Sequence, residues 1–121
     1  MVSVSADQVR RRLGLTVADI SDEDVLAFRD EAAAFLSEEI GETINAEDCT
    51  ISEANAIANL AAIYCHLKVA GISSTGWTVN LGQLTFTGPA EKAASLEFLK
   101  QQVREFIQRR KRVGISLKED T

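Results

Sequence analysis

The stretch from Thr50 to Gly71 most constrains this 121-residue chain, because a helix formed there is apolar around most of its circumference. Large apolar side chains recur at three- and four-residue steps, and alanines fill much of the remaining surface: Ile57, Leu60, Ile63, Tyr64, Leu67, Ala54, Ala56, Ala58, Ala61, Ala62 and Ala70. Such a helix needs cover from other elements on several sides. Thr50 and Glu53 match a capping box, and Gly71 stands where a helix usually ends. The sequence therefore predicts a central helix with the other elements packed around it.

A capping-box pattern at Ser5–Gln8 predicts a short first helix that runs to about Leu13 and is closed by Gly14. Val9 and Leu13 are its inward-facing residues. Three consecutive arginines follow its first turn: Arg10, Arg11 and Arg12. Consecutive side chains spread around a helix, so the run is typical of solvated charges, with a phosphate-binding patch as the alternative.

A second helix is predicted over Asp22–Ile40, with Ser21 as its N-cap and Gly41 at its end. Ile20 is placed to pack against Val25 as a hydrophobic staple. The apolar residues of this helix form one stripe: Val25, Phe28, Ala32, Phe35, Leu36 and Ile40. This is the pattern of an amphipathic helix that leans on the central one.

Two strands that form a β-hairpin are predicted after the central helix. Residues 77–81 and 84–87 alternate apolar and polar side chains, and Gly82-Gln83 between them suits a two-residue type II′ turn. That turn places Leu81 opposite Leu84 and Val79 opposite Phe86. Both strands then put their apolar residues on one side, which we call the hairpin face: Trp77, Val79, Leu81, Leu84 and Phe86.

A last long helix is predicted to begin at Gly88-Pro89 and to end at about Arg112. Its apolar residues recur at helical spacing: Ala93, Leu96, Leu99, Val103, Phe106 and Ile107. Its end is a basic segment, Arg109, Arg110, Lys111 and Arg112, and cations are favoured at a helix C-terminus. Beyond it Val113, Ile115 and Leu117 alternate with polar residues or glycine. That tail is expected to fray or to add to another chain as an extended strand.

Together these elements predict a mainly α fold, a small antiparallel bundle of three to four helices with one β-hairpin inserted before the last long helix. The short linker between the second and central helices favours antiparallel neighbours, with Ile44 as an anchor. The chain length suits one domain over residues 1–112, followed by a C-terminal extension at 113–121 that is either frayed or ordered only on assembly.

Composition excludes several classes of function. A formal net charge of −5 disfavours nucleic-acid binding by the chain as a whole. No apolar run reaches the roughly 20 residues of a membrane span, and the N-terminal stretch lacks the apolar region of a signal peptide, so we expect a soluble intracellular product without a membrane partner. Cys49 and Cys65 lack metal-site or redox-motif spacing and are expected to be free thiols.

No catalytic or cofactor motif is present. The single histidine, His66, cannot build a Ser-His-Asp site without partners that the sequence does not identify, and adjacent acids such as Asp22–Asp24 are typical of first-turn charge. We therefore expect no enzyme activity, no catalytic or metal-ligating residues and no cofactor. Asn55, Asn59 and His66 form the less apolar stripe of the central helix, which borders solvent or a neighbouring subunit.

The hairpin points to assembly instead. Two strands alone cannot bury both faces, so the hairpin face needs cover from the protein's own helices or from another copy. Trp77 gives this face a residue type that is enriched in interface hot spots. A head-to-tail contact repeated through such a face closes into a ring when the rotation permits.

The order of elements resembles the head-tail connector, or head-completion, proteins of tailed bacteriophages and related archaeal viruses. The resemblance covers about residues 5–112 and is carried by SDEDVLAFRDEAAAFLSEEIG, ANAIANLAAIYCHLKVAG, WTVNLGQLTFTG and AEKAASLEFLKQQVREFI. It implies a virion protein whose copies form a ring, commonly dodecameric, below the portal, extend the DNA channel and offer the tail attachment site. DNA would pass without sequence-specific binding. The hairpin face would contact adjacent subunits, and Arg109 to Arg112 with Val113, Ile115 and Leu117 would meet the portal or a tail protein.

Two other functions fit the sequence. A small helical nucleic-acid-binding or regulatory adaptor would use Arg10 to Arg12 and the basic segment, and would bind duplex in a salt-sensitive manner. A generic oligomerisation module would need no ring.

Overall fold

The computed structural model describes residues 1–69 and 90–119, which form four packed helices. They are α1 (Ala6–Arg11), α2 (Asp22–Ile40), α3 (Ile51–Val69) and α4 (Ala90–Glu119). The prediction of a mainly α fold with packed helices is confirmed. The predicted hairpin at 77–87, with Trp77, Val79, Leu81, Leu84 and Phe86, lies outside the described residues.

Helix α3 is the centre of the fold, as its composition predicts. It packs against α1, α2 and α4, and its residues from Ala56 to Cys65 are buried without interruption. Tyr64 and Leu60 are among the largest fully buried side chains, and α2 places Phe28 against the Tyr64 ring at 6.1 Å between centroids. Small residues between the large ones leave room for helices on three sides.

Capping residues and a terminal glycine set the boundaries of α2 and the start of α3, as the sequence predicts. Helix α2 begins and ends as predicted, with Asp24 N–H donating to Ser21 Oγ at 3.3 Å and Gly41 in the left-handed conformation at φ 72°. The staple residues Ile20 and Val25 are both buried. At α3 the predicted capping box is present in both directions: Thr50 N–H donates to Glu53 Oε1 at 2.9 Å, and Glu53 N–H donates to Thr50 Oγ1 at 3.1 Å.

Helix α1 has its predicted capping box between Ser5 and Gln8, but one of its arginines is not solvated. Only 3% of Arg10 is exposed. Its Nε and Nη2 atoms donate to the Ile20 carbonyl at 3.2 and 2.9 Å, and it also pairs with Asp7 and Asp22. The interpretation of the whole arginine run as solvated charge is therefore wrong at Arg10, which ties α1 to the start of α2. Arg11 and Arg12 are exposed as expected.

The first residues of the chain pair with the linker between α2 and α3. Val2 and Cys49 exchange both backbone hydrogen bonds, at 2.7 and 2.9 Å, and Val4 N–H donates to the Ala46 carbonyl at 2.9 Å. Val4 and the predicted anchor Ile44 are buried. This pairing holds the N-terminal segment against the residues that lead into α3.

Helix α4 continues further than predicted. It ends at Glu119 rather than at about Arg112, so the backbone of Val113, Ile115 and Leu117 is helical and not extended. Alternation over five residues is a weak signal for a strand when a long helix already leads into it, because each further helical residue gains a backbone hydrogen bond without a new nucleation cost. Its predicted inward residues from Leu96 to Ile107 are buried, and Ala93 lies outside the described side chains.

Candidate functional site

The basic segment of α4 lies beside the end of α2 and the start of α3. Its first three cations have different surroundings, although they are adjacent in sequence. The prediction that the basic segment interacts with the C-terminal end of the helix macrodipole is wrong. The helix extends seven residues beyond Arg112, and the macrodipole stabilises cations only within the last turn. Contacts with the other helices explain the segment better.

Arg110 is committed to contacts within the protein. Its Nη1 atom lies 3.2 Å from Glu42 Oε2 and 3.2 Å from Glu53 Oε2, and its guanidinium lies 5.1 Å from the centroid of the Phe106 ring. Glu53 is mostly buried and also receives the Thr50 N–H, so one carboxylate caps α3 and holds α4. Arg110 thus joins three segments and has little capacity for an external partner.

Lys111 and Arg109 are more exposed. Lys111 Nζ lies 3.4 Å from Glu39 Oε2 on α2. Arg109 has 74% of its side chain exposed, and its contact with Glu105 at 3.7 Å is longer than the roughly 2.7–2.9 Å of a strong charged hydrogen bond. Of these three cations, Arg109 has the most exposed side chain.

A pocket of about 300 Å³ lies between the first turns of α3 and the middle of α4. Polar and apolar side chains share its lining: Ile51, Ser52, Asn55, Ala56, Asn59, Gln102, Phe106 and Arg109. We call it the α3–α4 pocket. It brings Arg109 from the predicted partner segment together with the two asparagines of the less apolar α3 stripe.

Asn59 is the distinctive residue of the α3–α4 pocket. It is 95% buried, since its exposed fraction is 5%, and within the described part of the chain its Oδ1 atom receives no hydrogen bond. Asn55, one turn earlier, is exposed, and its Oδ1 accepts from Arg12 Nη2 at 3.1 Å. The expectation that this stripe borders solvent holds for Asn55, and His66 at its far end is partly buried. Nothing in the sequence distinguishes Asn59 from Asn55, because burial depends on where α4 packs.

The double role of Glu53 gives a testable difference between two substitutions. Glu53→Ala removes the capping contact and the Arg110 ion pair, and should lower the free energy of unfolding by about 1.5 kcal/mol. Glu53→Gln keeps a side chain that can cap, so it should cost only about 0.5 kcal/mol. Urea denaturation of both variants at low and high salt measures this. Equal losses for the two would show that the ion pair, and not the cap, supplies the stability.

The two cysteines are buried free thiols, as predicted. Burial raises the pKa of Cys65 to about 12, and it also raises the pKa of Cys49 above its ordinary value. Thiols with raised pKa values are poor nucleophiles at neutral pH. Over residues 1–69 and 90–119 no three His, Cys, Asp or Glu side chains come together in a way that suits a metal ion.

Comparisons of the chain with family models, with curated proteins and with solved structures found no match. In the described ranges, no helix combines the length and apolar character needed to cross a bilayer.

Proposed function

We propose that this protein is a structural virion protein, a head-tail connector that forms a ring below the portal, extends the DNA channel and provides a tail attachment site. The observation that carries the proposal is the enclosure of α3 by α1, α2 and α4. Because α1, α2 and α4 already cover the central helix on three sides, the apolar face of the hairpin is available to contact another copy of the protein. The pattern resemblance over residues 5–112 supports the same assignment.

Within this proposal the hairpin face, Trp77, Val79, Leu81, Leu84 and Phe86, contacts the adjacent subunit. The exposed flank of α4 forms part of the same subunit contact. It includes Phe98, which has 62% of its surface exposed. An apolar side chain of this size is a candidate for cover by a neighbouring copy. The net charge of −5 suits a channel through which DNA slides without adhering.

In this proposal, fewer residues contact the portal or tail protein than the sequence predicts. Arg110 and Lys111 form ion pairs within the chain, so we assign the contact to Arg109 and to the last turns of α4. Those turns, residues 112–119, continue for about 12 Å beyond Lys111. The protein would act without enzyme activity or a cofactor, at the head-tail junction of the virion.

The adaptor alternative is less well supported. It relies on Arg10 to Arg12 and on the basic segment, yet Arg10 is buried and Arg110 and Lys111 already have carboxylate partners. Phosphate binding needs available cations, since neutralised phosphates provide most of the affinity.

Deletion of Thr78–Thr87 tests the proposal. The deleted chain should remain a folded monomer, because the helices form the core, and it should lose ring formation on addition of the portal. Circular dichroism and thermal unfolding measure folding, and mass photometry with the portal measures assembly. Unfolding of the deleted chain would place the hairpin in the core and contradict its role between copies.

A pair of point variants separates assembly from folding. Phe98→Ser should weaken ring formation. Val17→Ser should not, although Val17, in the segment between α1 and α2, is an apolar residue of similar exposure to Phe98. Both sites are exposed, so neither change should alter the unfolding temperature by more than a few degrees. Equal assembly of the two variants would remove the flank of α4 from the interface.

A further inference from the structure

We infer that the α3–α4 pocket is a binding site for an acidic peptide residue, an aspartate or glutamate of a partner chain, held by its carboxylate and by an adjacent backbone N–H group. Ring formation is not required for this binding, so it can be tested on the monomer. The lining combines a buried hydrogen-bond acceptor, an exposed guanidinium and an apolar wall.

The acceptor is Asn59 Oδ1. A buried polar atom without a partner costs about 1–3 kcal/mol, so such atoms are uncommon in folded proteins, and one on a residue that lines a pocket is a candidate for contact with a ligand. An acceptor requires a donor, and a peptide N–H is a donor of suitable size. An ionised carboxylate or a phosphodiester has neither an N–H nor an O–H group and cannot satisfy it.

The carboxylate position is set by Arg109 and the start of α3. Arg109 lines the pocket and makes only a long contact with Glu105. Ser52 lies in the first turn of α3, a 19-residue helix whose N-terminal end carries partial positive charge. The acid of that turn, Glu53, accepts from Thr50 and Arg110 and so does not compete for Arg109. Together these groups favour an anion at the mouth of the pocket.

The shape selects a peptide residue over a larger ligand. About 300 Å³ is at the lower end of the roughly 300–1,000 Å³ found for ligand sites. Ile51, Ala56 and Phe106 provide apolar surface for the methylene groups of an aspartate or glutamate. A phosphodiester has no N–H group to donate to Asn59, so a nucleic-acid backbone fits the lining less well.

Nuclear magnetic resonance titration of the ¹⁵N-labelled full chain tests the site. The probes are the N-acetyl N-methylamides of aspartate and glutamate, with the matching asparagine and glutamine compounds and inorganic phosphate as separate arms. At least one acidic probe should give saturable shifts of the Asn59 side-chain amide and of the Ser52 and Asn55 backbone amides. The neutral compounds should bind about ten-fold more weakly, because they lose the charged hydrogen bond to Arg109.

Three variants locate the binding. Arg109→Gln and Asn59→Leu should each weaken it about ten-fold. Lys111→Gln is the control, because it removes the same charge from the same helix at a site outside the pocket. It should change the affinity for the acidic probes by less than about two-fold, as expected for a screened charge. Unfolding temperatures verify that each variant is folded, and Arg109→Gln alters an exposed side chain only.

Several results would overturn the inference. Absence of saturable shifts, shifts that map away from the pocket, or an equal effect of Lys111→Gln and Arg109→Gln would each do so. Phosphate binding as tightly as the acidic probes would show a general anion site instead of a peptide site.

Discussion

Leu60→Ala should lower the free energy of unfolding by about 3–4 kcal/mol, more than any other substitution considered for this protein. Leu60 is fully buried in α3, and helices lie on three sides of α3. The cost of a large-to-small change rises with the volume that cannot collapse, and a helix held by neighbours on several sides collapses least. Chemical denaturation followed by circular dichroism measures the loss.

Ile51→Ala on the same helix is the matched control. Ile51 has 70% of its surface exposed, so its removal should change the free energy of unfolding by no more than about 0.5 kcal/mol. A loss below about 1.5 kcal/mol for Leu60→Ala would mean that the helices close around the smaller side chain. The packing of α3 would then be less tightly determined than its continuous burial implies.

Arg10→Ala should lower the free energy of unfolding by about 2–3 kcal/mol, since hydrogen bonds from charged groups contribute about 1.5–3 kcal/mol. The guanidinium donates twice to the Ile20 carbonyl, immediately before the N-cap of α2, and its removal leaves that buried acceptor unpaired. The buried aliphatic part of the side chain adds to the loss. Urea denaturation at neutral pH measures the effect.

Arg11→Ala provides the comparison, because Arg11 is the next residue and is exposed. Its replacement should stay within about 0.5 kcal/mol. Arg10→Lys should recover part of the loss only, because an ammonium cannot present two parallel N–H groups to one carbonyl. Equal stability of Arg10→Ala and Arg11→Ala would show that the contacts with Ile20 exchange freely with solvent.

The helix boundaries were predictable because their signals act over six residues or fewer. Ser21 with its staple, the Thr50–Glu53 capping box and Gly41 each satisfy or end backbone hydrogen bonds locally. The C-terminal end of α4 was not predictable in this way. The helix continues through Gly114, which is the residue type that usually ends a helix, and it stops at Glu119 with no glycine after it. Alternating side chains at 113–117 offered a competing local pattern that the helical backbone did not follow.

The candidate site was predictable only in part. The basic segment indicated a partner surface, and one of its members, Arg109, lines the pocket. Asn59 and the internal ion pairs of Arg110 were missed, because both depend on which turn of α4 lies beside the start of α3. No spacing within one helix encodes that register.

The amino-acid sequence alone determined that α3 would be central, where α2 would begin and end, and that both cysteines would be free, because composition and neighbouring residues decide these features. Only the tertiary structure decided which of several identical residues is buried. Arg10 and Arg11 are adjacent, and Asn55 and Asn59 are one turn apart, yet one of each pair is buried and the other exposed. The reason is physical: burial depends on contacts with segments distant in sequence, and those contacts exist only once the helices have packed.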